Sequence, residues 1–78
     1  MSENNTFKCT IDEEIGVLGV SSNGWRKEVN IVRWGDKGTP KLDIRSFAPG
    51  RASIGKGISL SEGEAKTLYA LLKKIYEE

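Results

Sequence analysis

Hydrophobic and polar positions alternate every second residue along most of the chain, and the period changes only near its end. FKCTI, residues 7–11, sets Phe7, Cys9 and Ile11 against Lys8 and Thr10, the pattern of a half-buried strand. After Asp12, Glu13 and Glu14 comes a second apolar run, IGVLGV, whose Gly16 and Gly19 predict a bulge or bend. Residues 7–20 therefore read as one long, kinked strand. SSNG, residues 21–24, is a reversal, because Asn-Gly accepts the positive φ of a tight hairpin. WRKEVNIVRW, residues 25–34, is a second strand rich in β-branched and aromatic side chains. GDKGTP turns the chain again, KLDIRSF is strand three and APGRAS is a loop. IGKGISL is strand four, whose Gly55 and Gly57 leave room for another backbone or a ligand to approach closely.

At Ser61 the period lengthens from strand to helix. Ser61 and Glu64 form a capping box, in which the hydroxyl accepts from the backbone N–H of Glu64 and the carboxylate reaches back to the N–H of Ser61. Ala65, Leu68, Tyr69, Leu72, Ile75 and Tyr76 then make an i, i+3, i+4 stripe, widened by Leu71. Gly63 in the first turn costs about 1 kcal/mol relative to alanine without stopping the helix. The predicted fold class is α+β, a four-stranded antiparallel sheet followed by one C-terminal helix (ββββα). Residues 7–78 form a single domain and residues 1–6 a frayed, disordered N-terminus.

One helix covers one face of such a sheet, so the alternation of strand three sorts its side chains. Leu42, Ile44 and Ser46 face the helix; Lys41, Asp43, Arg45 and Phe47 face away and are expected to meet water. Strand two has two readings. Either Arg26, Glu28, Asn30, Val32 and Trp34 join that outer face, or the opposite register brings Lys27 and Arg33 there. In both, cations lie beside rings. Exposed rings stack on unpaired bases while cations track phosphates, a combination suited to single-stranded nucleic acid. Trp25, beside a turn, is expected to cover the end of the core. For Trp34 and Phe47, core packing and base stacking are both compatible with the pattern.

Composition narrows the chemistry. Among 78 residues there is one cysteine and no histidine, which leaves no zinc site, no common catalytic triad and no activated thiol. Cys9 is expected to be a half-buried strand residue. The glycines of GKGIS lack the spacing of a phosphate loop, and neither Glu13 with Glu14 nor Glu62 with Glu64 converges on a pocket. No catalytic residue, metal or cofactor is expected. The lone cysteine and the lack of a leader-like or spanning apolar segment predict a soluble cytoplasmic protein, nucleoid-associated in a bacterium, with no membrane partner.

The net charge of +1 conceals a segregation: residues 1–24 hold four carboxylates against one lysine, and residues 25–57 hold eight cations against three carboxylates. Residues 58–78 hold three lysines against four glutamates. A basic middle can form a local polyanion-binding face without a high overall charge. The helix carries more apolar surface than one sheet face covers. Leu68, Leu71, Leu72 and Ile75 are therefore the candidate contact of a homodimer, which adds the burial that a chain this small lacks.

The runs GWRKEVNIVRWGDKGTPKLDIRSF and IGKGISLSEGE resemble the positive cofactor 4 family of transcriptional coactivators, most closely its small bacterial YdbC-like branch. The resemblance covers about residues 25–72. It implies a homodimer with curved β-ridges that binds single-stranded DNA, its helices holding the two copies together. By position, Arg45 matches the arginine of the family's DIR motif and Lys56 the lysine of its KGISL motif, both linked to backbone contact. Trp34 and Phe47 stand near the family's base-stacking aromatics, and Lys41 opens the same strand as Phe47. The bacterial branch usually has tryptophan where this chain has Phe47. With Arg26 and Asn30 from strand two and Lys37 from the turn, these residues make up the candidate nucleic-acid surface. The implied function is non-enzymatic binding of single-stranded DNA with little sequence preference, in transcription regulation, repair or recombination. The same surface would also suit single-stranded RNA or an acidic protein of the transcription machinery.

Overall fold

In the computed structural model, which describes residues 9–35 and 38–77, the chain runs as β1 (Cys9–Val20), β2 (Arg26–Trp34), β3 (Lys41–Phe47), a 3₁₀ turn (Pro49–Arg51), β4 (Ile54–Leu60) and α1 (Glu62–Tyr76). The strands form one antiparallel sheet in the order β1-β2-β3-β4. This is the predicted ββββα order. Residues 1–6, expected to be frayed, Phe7, the expected start of the first strand, and Lys37 lie outside the described residues.

The twelve residues of β1 oppose only nine of β2, with register shifts between Ile11 and Glu13, Glu14 and Gly16, and Val17 and Gly19. Two of the three coincide with the glycines that predicted a bend. Each extra residue raises the local twist, so β1 coils along its neighbour instead of lying flat. The following turn is closed by Ser21 N–H to Trp25 O at 2.8 Å and Gly24 N–H to Ser21 O at 3.0 Å. Gly24 takes φ +91°, the left-handed conformation that the Asn-Gly pair predicted. At the other end of the chain both bonds of the capping box are present, Glu64 N–H to Ser61 Oγ at 3.2 Å and Ser61 N–H to Glu64 Oε1 at 3.0 Å.

Register settles the faces. Glu28 pairs with Arg45, Asn30 with Asp43, Val32 with Lys41 and Arg26 with Phe47, while Asp43 pairs with Ser59 and Arg45 with Gly57. Directly paired residues share a face. Strand two therefore adopts the first of its two readings, with Arg26, Asn30 and Trp34 beside Arg45. On the other face Val29 pairs with Ile44 and Ile31 with Leu42, and α1 packs mainly against β3 and β4.

The expectation that Lys41, Asp43, Arg45 and Phe47 form a solvated face is corrected. Only Lys41 of the four is exposed; Asp43 is 0% exposed and Phe47 2%. The core lies on this side: Val32, Phe47 and Ala48, interleaved with buried Glu28, Asn30 and Asp43. Side chains of the same layer provide the cover. Arg45 lies 4.8 Å over the Trp34 ring and Arg51 5.5 Å over that of Phe47, their aliphatic stems shielding what lies beneath.

The glycines of β4 admit this chain's own side chains. A Cβ at Gly57 would lie 2.0 Å from the Cβ of Arg45, and one at Gly55 would lie 3.0 Å from the Trp25 ring. The room predicted at Gly55 and Gly57 is thus taken up by Arg45, Trp25 and Ser46. Trp25 is half-buried at the sheet's end, as expected.

Candidate nucleic-acid interface

Two clusters of side chains stand on the packed face. The first joins β2, β3 and β4. Asp43 accepts two bonds from Arg45, Nε to Oδ2 at 2.7 Å and Nη2 to Oδ1 at 2.8 Å, and a third from Ser59 Oγ at 2.7 Å. Trp34 donates its indole N–H to Ser59 Oγ at 3.0 Å, and Arg45 Nη1 reaches Gly55 O at 3.4 Å. A fully buried carboxylate requires this degree of satisfaction, because desolvating an unpaired charge is prohibitive. The charge is answered in place: the bonds it donates to Asp43 hold the Arg45 guanidinium, although partly buried, above its ordinary pKa.

The second cluster centres on Glu28, which accepts from Arg51 Nη2 at 2.8 Å and Asn30 Nδ2 at 3.2 Å and lies 3.5 Å from Arg26 Nε. Arg51 also donates to Glu14 at 3.1 Å, tying β1 to the 3₁₀ turn. Arg51 holds φ +58° and follows Gly50 at φ +66°, so two successive left-handed residues are what aim its guanidinium back over the sheet. Burial pushes the Glu28 carboxyl up, but hydrogen bonds from Arg51 and Asn30 and the charges of Arg51 and Arg26 outweigh it, leaving its pKa below the ordinary 4.5.

That depression predicts a pH dependence. Since the unfolded chain binds a proton at Glu28 more readily than the folded one, the stabilisation is fully present above about pH 4.5 and disappears as pH falls through the lower folded value. Asp12, held low by its hydrogen bond to Arg33, acts with the same sign. A melting midpoint that is flat from pH 7 to about 5 and then drops is expected, and Glu28→Gln should make the drop shallower.

The candidate residues divide accordingly. Trp34 and Arg45 are brought into one stack. Lys41, Lys56 and Arg26 are exposed, and among the described residues neither lysine forms an ion pair. Asn30, which was expected on the binding surface, is 1% exposed and serves Glu28. The expectation of Phe47 as an exposed stacking ring is overturned by its burial under Arg51. Arg45, with a side chain 13% exposed, spends two nitrogens on Asp43 and only partly meets solvent. Lys37 falls outside the described residues. Lys27 and Arg33, from the unused register, lie on the other face, where Lys27 lines a cavity with Leu18, Val20 and Trp25, and Arg33 pairs with Asp12 at 2.8 Å.

Sequence reasoning passed over Arg51, Asp43 and Ser59. The alternation already set Asp43 and Arg45 on one face two residues apart, a spacing within reach of an ion pair. Nothing local signalled that Arg51 turns back over Phe47. Cys9 is half-buried, as expected, and burial raises its thiol pKa, aided by the Asp43 charge and opposed by Arg45 and Arg51.

On the helix face, Leu68 and Leu71 line an apolar groove of about 700 Å³ with Ile44, Ile58 and Leu60. Leu71 is 50% exposed, and Leu72, Ile75 and Tyr76 are also open to solvent. No helix among the described residues is long and apolar enough to cross a membrane.

Comparison with known proteins matches these elements to a family. The model of the transcriptional coactivator p15 (PC4) family fits residues 21–71, from the β1–β2 turn into α1. An uncharacterized protein of Treponema pallidum (strain Nichols) is 34% identical over 73 residues, covering 92% of this chain and 84% of that protein. Similarity to a bacterial protein fits a bacterial branch, and the chain belongs to the transcriptional coactivator p15 (PC4) family.

Proposed function

We propose that this protein is a non-enzymatic binder of single-stranded DNA, related to transcriptional coactivators, with little sequence preference and acting as a homodimer. The observation that carries the reading is the half-buried Trp34 with Arg45 stacked on it, beside Lys41 on the same sheet face, with Arg26 at its end and Lys56 exposed on the neighbouring edge strand β4. Family membership supports the same reading. A partly exposed ring offers an unpaired base a stacking partner, worth about 1–3 kcal/mol, and a duplex hides its bases from such a ring. Lys41, Lys56 and Arg26 are the groups suited to phosphates, since the Arg45 charge is already answered by Asp43. The open apolar stripe of α1 favours a second copy, for an exposed helix face of this kind needs a partner surface. Roles in transcription, repair or recombination follow from this binding, in a cytoplasmic or nucleoid setting.

Titrating labelled oligothymidine and a duplex of equal length, at 50 and 200 mM salt and with solution mass measured in parallel, tests the reading. Three cations meeting phosphates give a slope of about −2 in log affinity against log salt, or a fifteen- to twentyfold loss over that range per protomer. Equal binding of duplex and single strand, or no salt dependence, would sink it. A monomeric mass would remove the homodimer. A matched RNA oligomer binding more tightly would transfer the surface to RNA.

A further inference from the structure

Trp34 is the last residue of β2, beside the turn that precedes β3, a place where an aromatic side chain ordinarily has freedom to change rotamer. Here it is held at two points. Its indole N–H is bonded to Ser59 Oγ at 3.0 Å, and one ring face lies 4.8 Å from the Arg45 guanidinium. The direction of the first bond is fixed by its neighbour. Indole nitrogen only donates, and Ser59 has a single proton, which the fully buried Asp43 carboxylate accepts at 2.7 Å. The serine oxygen is thereby left with lone pairs alone to present to Trp34. Asp43 fixes the second point as well, through its two bonds to Arg45.

We propose that Ser59 and Asp43 are positioning residues that lock the Trp34 indole as a preformed stacking platform for a nucleobase. A buried acid on β3 orients a hydroxyl on β4, and both edge and face of a ring on β2 are set before any ligand arrives. The inference rests on the single-strand reading for its purpose, whereas the lock itself exists without nucleic acid. A preformed ring avoids the loss of rotamer freedom on binding, so releasing it weakens affinity about three- to tenfold.

Two measurements test it on the full chain. The first is the indole N–H resonance of Trp34 without ligand, distinguished from that of Trp25 by a Trp25→Phe variant. In Ser59→Ala the Trp34 resonance should move upfield and exchange faster with solvent, while Ser59→Thr, which keeps the hydroxyl, should restore it. An unmoved resonance in Ser59→Ala overturns the lock. The second is oligothymidine affinity in a double-mutant cycle. Ser59→Ala should weaken binding about three- to tenfold with an unchanged salt slope, and should have no further effect in a Trp34→Phe background, where there is no N–H to hold. An equal loss in both backgrounds overturns the platform, since Ser59 would then act elsewhere. If the unsubstituted chain fails to bind oligothymidine, the single-strand reading falls and takes the platform with it, while the resonance still decides whether the lock exists.

Discussion

Replacing Asp43 with alanine is expected to lower the stability of the fold by about 3–5 kcal/mol, the range for leaving one member of a buried ion pair without its partner. Its carboxylate is inaccessible to solvent and accepts bonds from Arg45 and Ser59, so the substitution leaves a mostly buried guanidinium without its counter-charge and a hydroxyl without an acceptor. A domain of this size has roughly 4–12 kcal/mol in total. The variant should therefore sit near the limit of folding, with a urea midpoint shifted far down or no cooperative transition. Asp43→Asn keeps the volume and one acceptor oxygen and should lose less, about 1.5–3 kcal/mol, the value of charge-assisted hydrogen bonds. Losses under 1 kcal/mol in both variants would mean that the network is incidental to the fold.

Phe47→Ala should be similarly severe, about 3–5 kcal/mol, because the ring is 2% exposed on the packed face and lies beneath the Arg51 guanidinium. This inverts what an exposed stacking ring would do. An exposed Phe47 would leave stability almost unchanged on truncation and reduce single-strand affinity alone. Phe47→Leu separates the two: it keeps an apolar core residue, so the fold should survive and oligothymidine affinity should stay within about twofold of the unsubstituted protein. A stable Phe47→Leu protein that has lost tenfold or more in affinity would return the ring to the binding surface.

The contrast marks where the sequence was legible. Alternation over KLDIRSF assigned each side chain to its face correctly, the Ser61–Glu64 box started the helix where the structure starts it, and Gly16 and Gly19 marked two of the bulges. Alternation has no information on which face is filled. Here the filling depends on contacts across 23 and 37 positions, Arg51 with Glu28 and Arg51 with Glu14. These close over Phe47 from a loop whose local pattern shows only a turn. The helix meanwhile sits over β3 and β4, so the face expected to be covered stays partly open, with Ile58 and Leu71 exposed. Of the candidate site, the cations Lys41, Lys56 and Arg26 keep the exposure that the pattern suggested, and Trp34 keeps part of it. Asn30 and Phe47 do not, because residues two apart on a curled sheet compete for the same small interior. Arg45 changes part: its geometry ties it to Asp43 and Trp34 before any phosphate.

The proposed function places single strands on the face that carries Trp34. Its most direct test is a titration of the protein with oligothymidine followed by amide and indole chemical shifts. Saturable shifts concentrated at Trp34, Lys41, Lys56 and Arg26, with Leu71, Leu72 and Ile75 unmoved, are the predicted result; shifts confined to the helix face, or none at saturating oligothymidine, would contradict it.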